Sequence, residues 1–156
     1  MTSRRFAVIF ACFLLAALPA LAKSNFSGDW KLNASKSDFG QMPAPSSMTA
    51  KIAHDDPKLE SSFKQSSDMG DFEIASKYTT DGKECTNQGF GGSEMKSVLK
   101  WEGDTLVIDS KAKFGDNDVT MQEKWTLSAD GKTLTVVRSF KSQMGEMAQK
   151  LVMEKQ

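Results

Sequence analysis

The sequence predicts an all-β fold: a single antiparallel up-and-down β-barrel of about ten strands, preceded by a signal peptide. Three observations carry this. Segments of alternating apolar and polar residues recur along the chain from position 26 onward. Turn-forming residues separate them at short intervals. The alternation keeps one parity, with aromatic and aliphatic side chains on one face and lysine, glutamate and threonine on the other.

The first element is the leader, residues 1–22. Arg4 and Arg5 form a basic start, Phe6 to Leu18 is an apolar run, and Ala20-Leu21-Ala22 supplies small residues before a cleavage point at Lys23. The run is short for a membrane span and ends on Pro19. Cleavage predicts a periplasmic or extracellular protein with no membrane span. Of the 156 residues, 20 are Lys or Arg and 20 are Asp or Glu. Removing the leader takes away Arg4, Arg5 and Cys12 and leaves residues 23–156 slightly acidic, with Arg138 as the only arginine and Cys85 as the only thiol. A chain so balanced has no nucleic-acid footprint. A lone thiol forms no internal disulfide, so one barrel domain at 23–156 must be held by its core.

The strand segments follow in order: 26–33, 48–54, 58–65, 72–79, 84–90, 93–101, 105–114, 119–127, 133–141 and 146–154. Asp55-Asp56-Pro57, Asp81-Gly82, Gly91-Gly92, Glu102-Gly103-Asp104, Gly115-Asp116-Asn117 and Asp130-Gly131 mark the turns between them. Such short connections predict a meander of antiparallel neighbours. Residues 34–47 are the exception: a long loop with Pro43 and Pro45 and room for a helical turn at 35–39, which the prolines would stop. This loop shares one barrel end with 66–71, 91–92, 115–118 and 142–145, leaving the tighter turns at the other end. The last segment has two readings. Leu151, Val152 and Met153 suit a closing strand, and Met147 with Leu151 and Glu146 with Lys150 also suit a helix; the strand is preferred because it closes the sheet.

The inward parity collects Phe26, Trp30, Ile52, Leu59, Phe63, Phe72, Tyr78, Leu99, Trp101, Leu106, Trp125, Leu134, Phe140 and Leu151 among others. The outward face is rich in Lys and Glu, the reverse of what a lipid-embedded barrel needs. The same parity sends Ser61, Gln65, Ser76, Cys85, Asn87, Ser97, Ser110, Glu123, Arg138 and Gln149 inward. Ten strands leave more lumen than side chains fill, and so many inward polar groups imply water or the polar part of a ligand.

Phe26-Ser27-Gly28-Asp29-Trp30-Lys31-Leu32 resembles the first-strand signature of the fatty-acid-binding proteins, and its Gly28-x-Trp30 core resembles that of the lipocalins. The chain thus looks like a calycin-type barrel of the lipocalin-like small secreted bacterial kind. The resemblance implies that Trp30 plugs the closed barrel end and that Gly28 lets the chain pack beside it. It departs from the pattern in two places. The fatty-acid-binding family caps its portal with two helices, for which 34–47 is too short. It also holds a carboxylate with an Arg-x-Tyr pair on the last strand, where this chain offers Gln149 and Leu151.

The candidate ligand-binding residues are Arg138, Gln149, Glu123, Met121, Tyr78 and Ser97. Arg138 is expected opposite Met121, diagonal to Glu123 and opposite Gln149. Three roles are open to it: anchoring a carboxylate in the lumen, pairing internally with Glu123, or capping Trp30 by a cation–π contact. His54 reads as a polar residue beside a turn, and a single histidine makes no metal or haem site. Cys85 reads as inert packing, Asp116-Asn117-Asp118 as a surface turn, and Gly89-Phe90-Gly91-Gly92 as a glycine hairpin. No catalytic, cofactor or metal motif is present.

Function then has two main readings. One is an exported, monomeric carrier of a small hydrophobic or amphipathic molecule, with a carboxylate head as the case Arg138 suits. The other is an exported interaction module, such as an inhibitor of an envelope enzyme, with a filled core and functional loops. An enzyme using the lumen is a third.

Overall fold

The computed structural model describes residues 23–68 and 70–156; the leader at 1–22 lies outside the described residues. Ten strands follow one another: β1 (Gly28–Leu32), β2 (Ser47–Asp55), β3 (Lys58–Ser67), β4 (Gly70–Thr79), β5 (Glu84–Gln88), β6 (Glu94–Glu102), β7 (Thr105–Phe114), β8 (Asn117–Leu127), β9 (Thr133–Ser142) and β10 (Gly145–Lys155). They form one antiparallel sheet in the order β4-β3-β2-β1-β10-β9-β8-β7-β6-β5. Because β10 returns to β1, the sheet curls and its two edges, β4 and β5, meet. The barrel is nearly closed.

Each of the ten expected segments is a strand, and the deviations have local causes. Phe26 precedes β1, its N–H donating to His54 Nδ1 at 3.3 Å and leaving the ladder. β5 stops at Gln88 because Gly89 N donates to Ser93 O at 2.8 Å and closes a turn. The last segment is a strand, paired with β9 from Gly145↔Ser142 to Glu154↔Thr133. A full ladder on one side and β1 on the other outweigh its helix-forming composition. Residues Ala34–Lys36 form a single 3₁₀ turn, capped where Asn33 Oδ1 accepts from Lys36 N at 3.2 Å. The turn ends when Asp38 rejoins the sheet, exchanging backbone hydrogen bonds with Lys150 at 2.7 and 2.8 Å. The return to the sheet, rather than the prolines, stops it.

The core is graded along the barrel. Toward the turns at 56–57, 80–83, 103–104 and 128–132, inward side chains are fully buried: Trp30, Leu59, Leu99, Leu106, Trp125, Leu134, Leu151 and Met153. Toward the other end Phe63, Phe72, Ile74, Met121 and Phe140 are half-buried, and Met147 is exposed. One half is therefore packed and the other is lined. Val107 and Val152 sit on the outward parity yet are buried. Val107 lies between Lys100 and Lys124, whose aliphatic stems can cover it. At Val152, Asn33 N donates to the carbonyl and Ser37 Oγ accepts from the amide, which lays residues 33–37 alongside.

Trp30 is buried in the closed end, its Nε1 donating to Phe26 O at 3.0 Å. Gly28 has φ of 144°, and a Cβ there would lie 2.6 Å from Lys155 Cε. That approach lets the Lys155 ammonium rest 5.4 Å from the Trp30 ring. The cation over Trp30 is thus Lys155 and not Arg138. His54 corrects its reading too. It follows the inward alternation of β2, is buried, and clusters with Phe26 and Trp101, its ring centroid 5.7 and 6.0 Å from theirs and theirs 5.9 Å from each other. Cys85 is not sealed in the core: it is half-buried, its sulfur accepting from Thr79 N at 3.2 Å.

Candidate ligand site in the barrel lumen

The lined half of the barrel surrounds a cavity that opens at the mouth. Its wall is mostly apolar, with Met48, Phe63, Phe72, Ile74, Met121 and Phe140 contributing from five strands. At its base lies a polar belt. Ser61 and Ser76 are cross-strand partners on β3 and β4. Ser97 and Ser110, on β6 and β7, share a hydrogen bond of 2.8 Å. Glu123 and Arg138 complete the belt on β8 and β9.

Glu123 and Arg138 are directly opposite one another, which corrects the expected pairing of Arg138 with Met121. The turn explains the shift of two residues: Ser128 N donates to Thr133 O, and Thr133 N donates to Ser128 Oγ, so the loop closes on that pair. Met121 faces Phe140 instead. Arg138 Nε donates to Glu123 Oε1 in a short ion pair. Glu123 Oε2 accepts from Trp125 Nε1 at 3.1 Å. The guanidinium lies 5.8 Å from the Phe140 ring. The carboxylate is nearly sealed, at 7 % side-chain exposure, and Arg138 reaches the cavity at 17 %. Of the three roles open to Arg138, internal pairing with Glu123 is realised.

Four candidates line the cavity together: Arg138, Glu123, Met121 and Tyr78. Burial, with the Glu123 charge adding to it, pushes the Tyr78 phenol up to about 12, so it stays protonated and neutral. Ser97 is fully buried behind the wall, bonded to Ser110, which does line the cavity. Gln149 is opposite Arg138 as expected, but its side chain reaches the mouth loop, donating to Phe39 O at 3.5 Å and contacting Met42 Sδ at 3.3 Å. The phenylalanines of the wall were legible only as inward residues. Their position in the loosely covered half of each strand is the signal that marks them as lining. Among the described residues no group of three or more His, Cys, Asp or Glu side chains is placed to hold a metal.

Solved structures share this architecture. The ileal bile acid-binding protein of zebrafish, in complex with cholic acid, superposes with a TM-score of 0.59 at 16 % identity, over 84 % of this chain and 98 % of its own. Lipid binding protein 8 of Caenorhabditis elegans gives 0.58 at 14 % identity, over 84 % and 95 %. A fatty acid transporter described as REP1-NXSQ gives 0.53 at 16 %, over 84 % and 96 %. The fold is a calycin-type β-barrel. No family model matches the chain, and no curated protein matches it. Within this calycin-type barrel the mouth carries the single 3₁₀ turn and extended loop of residues 34–46. Gln149 and Leu151 are among the inward positions of the last strand.

Proposed function

We propose that this chain is an exported binding protein, not an enzyme, that carries a small hydrophobic or amphipathic ligand in the barrel lumen. The observation that carries the reading is the half-filled barrel: a packed closed end beneath an apolar cavity with one polar belt. A module acting only through its loops has no need of such a lumen. The neighbours agree in kind, being a bile acid-binding protein, a lipid binding protein and a fatty acid transporter by description. Export to the periplasm or exterior rests on the pattern of residues 1–22.

The direct test is fluorescence titration with an uncharged apolar probe, followed by displacement with lipids extracted from the native host. Saturable binding that Phe72→Trp or Phe140→Trp reports by quenching supports the lumen as the site. Absence of binding by any apolar probe defeats the reading. Export is checked separately, by the mass of the protein in the envelope fraction, which should begin at Lys23.

A further inference from the structure

We propose that the lumen selects an uncharged amphiphile with a hydroxyl or amide head over one with a carboxylate. The inference rests on the carrier reading and concerns the ligand's chemical class. Among the described residues lining the cavity, only Glu123 and Arg138 are charged at neutral pH. They are paired with each other, so the wall has no net charge to offer an anion. A carboxylate brought to Arg138 must sit beside Glu123. Attraction and repulsion then largely cancel, and the cost of taking the new charge out of water stands unopposed.

A hydroxyl or amide meets a different environment. Arg138 uses Nε for Glu123, and its two terminal nitrogens donate to no acceptor among the described residues. Glu123 takes one bond on each oxygen, from Arg138 and from Trp125, and each oxygen keeps a second lone-pair direction. The belt therefore presents donors and acceptors side by side. A hydroxyl head accepts from the guanidinium and donates to the carboxylate, and a primary amide does both with two atoms. A carboxylate only accepts. Around the belt, Met48, Phe63, Phe72, Ile74, Met121 and Phe140 suit an apolar tail, and the flexible methionines tolerate several tail shapes.

Dodecanol, dodecanamide and dodecanoate, titrated in competition with a neutral fluorescent probe at pH 7.5, test this. The alcohol and amide should bind at least about tenfold more tightly than the carboxylate. In Glu123→Gln the belt gains a net positive charge, and the order should invert in favour of dodecanoate. Equal or tighter dodecanoate binding by the wild type overturns the inference, as does a Glu123→Gln protein that folds and keeps the wild-type ratio. Should that variant not fold, calorimetry of the wild type with dodecanoate in two buffers of different ionisation heat decides. Proton uptake on binding supports a lumen that takes the acid in its neutral form; binding without uptake that is as tight as that of dodecanol overturns the proposal. If none of the three ligands nor the probe binds, the carrier reading itself fails, an outcome distinct from all of these.

Discussion

The side chain of Asn87 bonds the backbone of Lys77 as a neighbouring strand would: Lys77 N donates to Oδ1 at 2.7 Å, and Nδ2 donates to Lys77 O at 3.0 Å. This pair sits on the seam between β4 and β5, the one place where consecutive strands share no ladder. Nearby, Cys85 accepts from Thr79 N at 3.2 Å, a second side chain acting in place of backbone. Asn87→Ala removes a donor and an acceptor at a half-solvated site, where water replaces part of what is lost. The expected cost is about 1–2 kcal/mol. Amide exchange at Lys77 should accelerate while the amides of β7 and β8 keep their protection. Unchanged exchange at Lys77 would mean that the seam is held by something else.

The closed end predicts a pH dependence. His54 Nδ1 accepts from Phe26 N, which places the ring proton on Nε2, a buried atom with no hydrogen-bond partner among the described residues. Burial holds the imidazole below its ordinary 6.5, against the opposing pull of Asp56, its neighbour at 3.8 Å, and of Asp55; Lys23 acts in the same direction as burial. The unfolded chain therefore takes the proton first. Stability from the neutral ring is complete above 6.5 and is lost as pH falls from there to the folded value. Protonation also turns Nδ1 into a donor facing the Phe26 N–H, so the strap at the barrel base should loosen. Chemical denaturation between pH 7.5 and 5 should show the decline, and His54→Asn should flatten it. A wild-type curve flat across that range would contradict the assignment.

The barrel was legible because period-two alternation of one parity survives through every strand, and because Asp and Gly mark the turns. The grading of the core was not. Phe72 and Leu99 look equivalent as inward residues, and only the relation of each to the loosely covered end separates a lining position from a packed one. Register was legible to within two residues: the connection at 128–132 closes on Ser128 and Thr133, a side-chain choice that alternation leaves undetermined. That step turned Glu123 from a diagonal neighbour of Arg138 into its partner. The burial of His54 was not legible from its place beside Asp55-Asp56-Pro57, although it continues the inward series Met48, Ala50, Ile52. Asn87 and Cys85 were placed inward by parity, but at a sheet edge a side chain can turn into the plane of the missing ladder.

The ion pair in the belt predicts non-additive stability. Arg138→Leu leaves the Glu123 carboxylate nearly buried with only Trp125 Nε1 as partner, and should cost about 3–5 kcal/mol at neutral pH. Replacing both residues with leucine removes the charge together with its partner, and a substantial part of that loss should return. Equal losses in the single and double variants would show that the pair contributes packing alone.

Gly40 predicts how the mouth loop is held. Its φ is 60°, in the left-handed region, and a methyl built on it would overlap the carbonyl oxygen of Ala148 on β10. Backbone atoms cannot swing aside as a lysine tip can beside Gly28, so the strand or the loop must shift. The loop at this point is tied down by Asp38 Oδ1 accepting from Gly40 N at 2.9 Å, by the Asp38–Lys150 backbone pair, and by Gln149 Nε2. Gly40→Ala combines backbone strain with that overlap, and a loss of about 1–3 kcal/mol is expected, confined to the loop if it detaches. Detachment should expose residues 39–46 to limited proteolysis while leaving the melting of the barrel little changed. It should also speed both entry and release of a lumen probe, since the loop borders the mouth, without altering the preference among head groups set at the belt. A Gly40→Ala protein with native protease resistance and native exchange rates would show that the loop does not govern access.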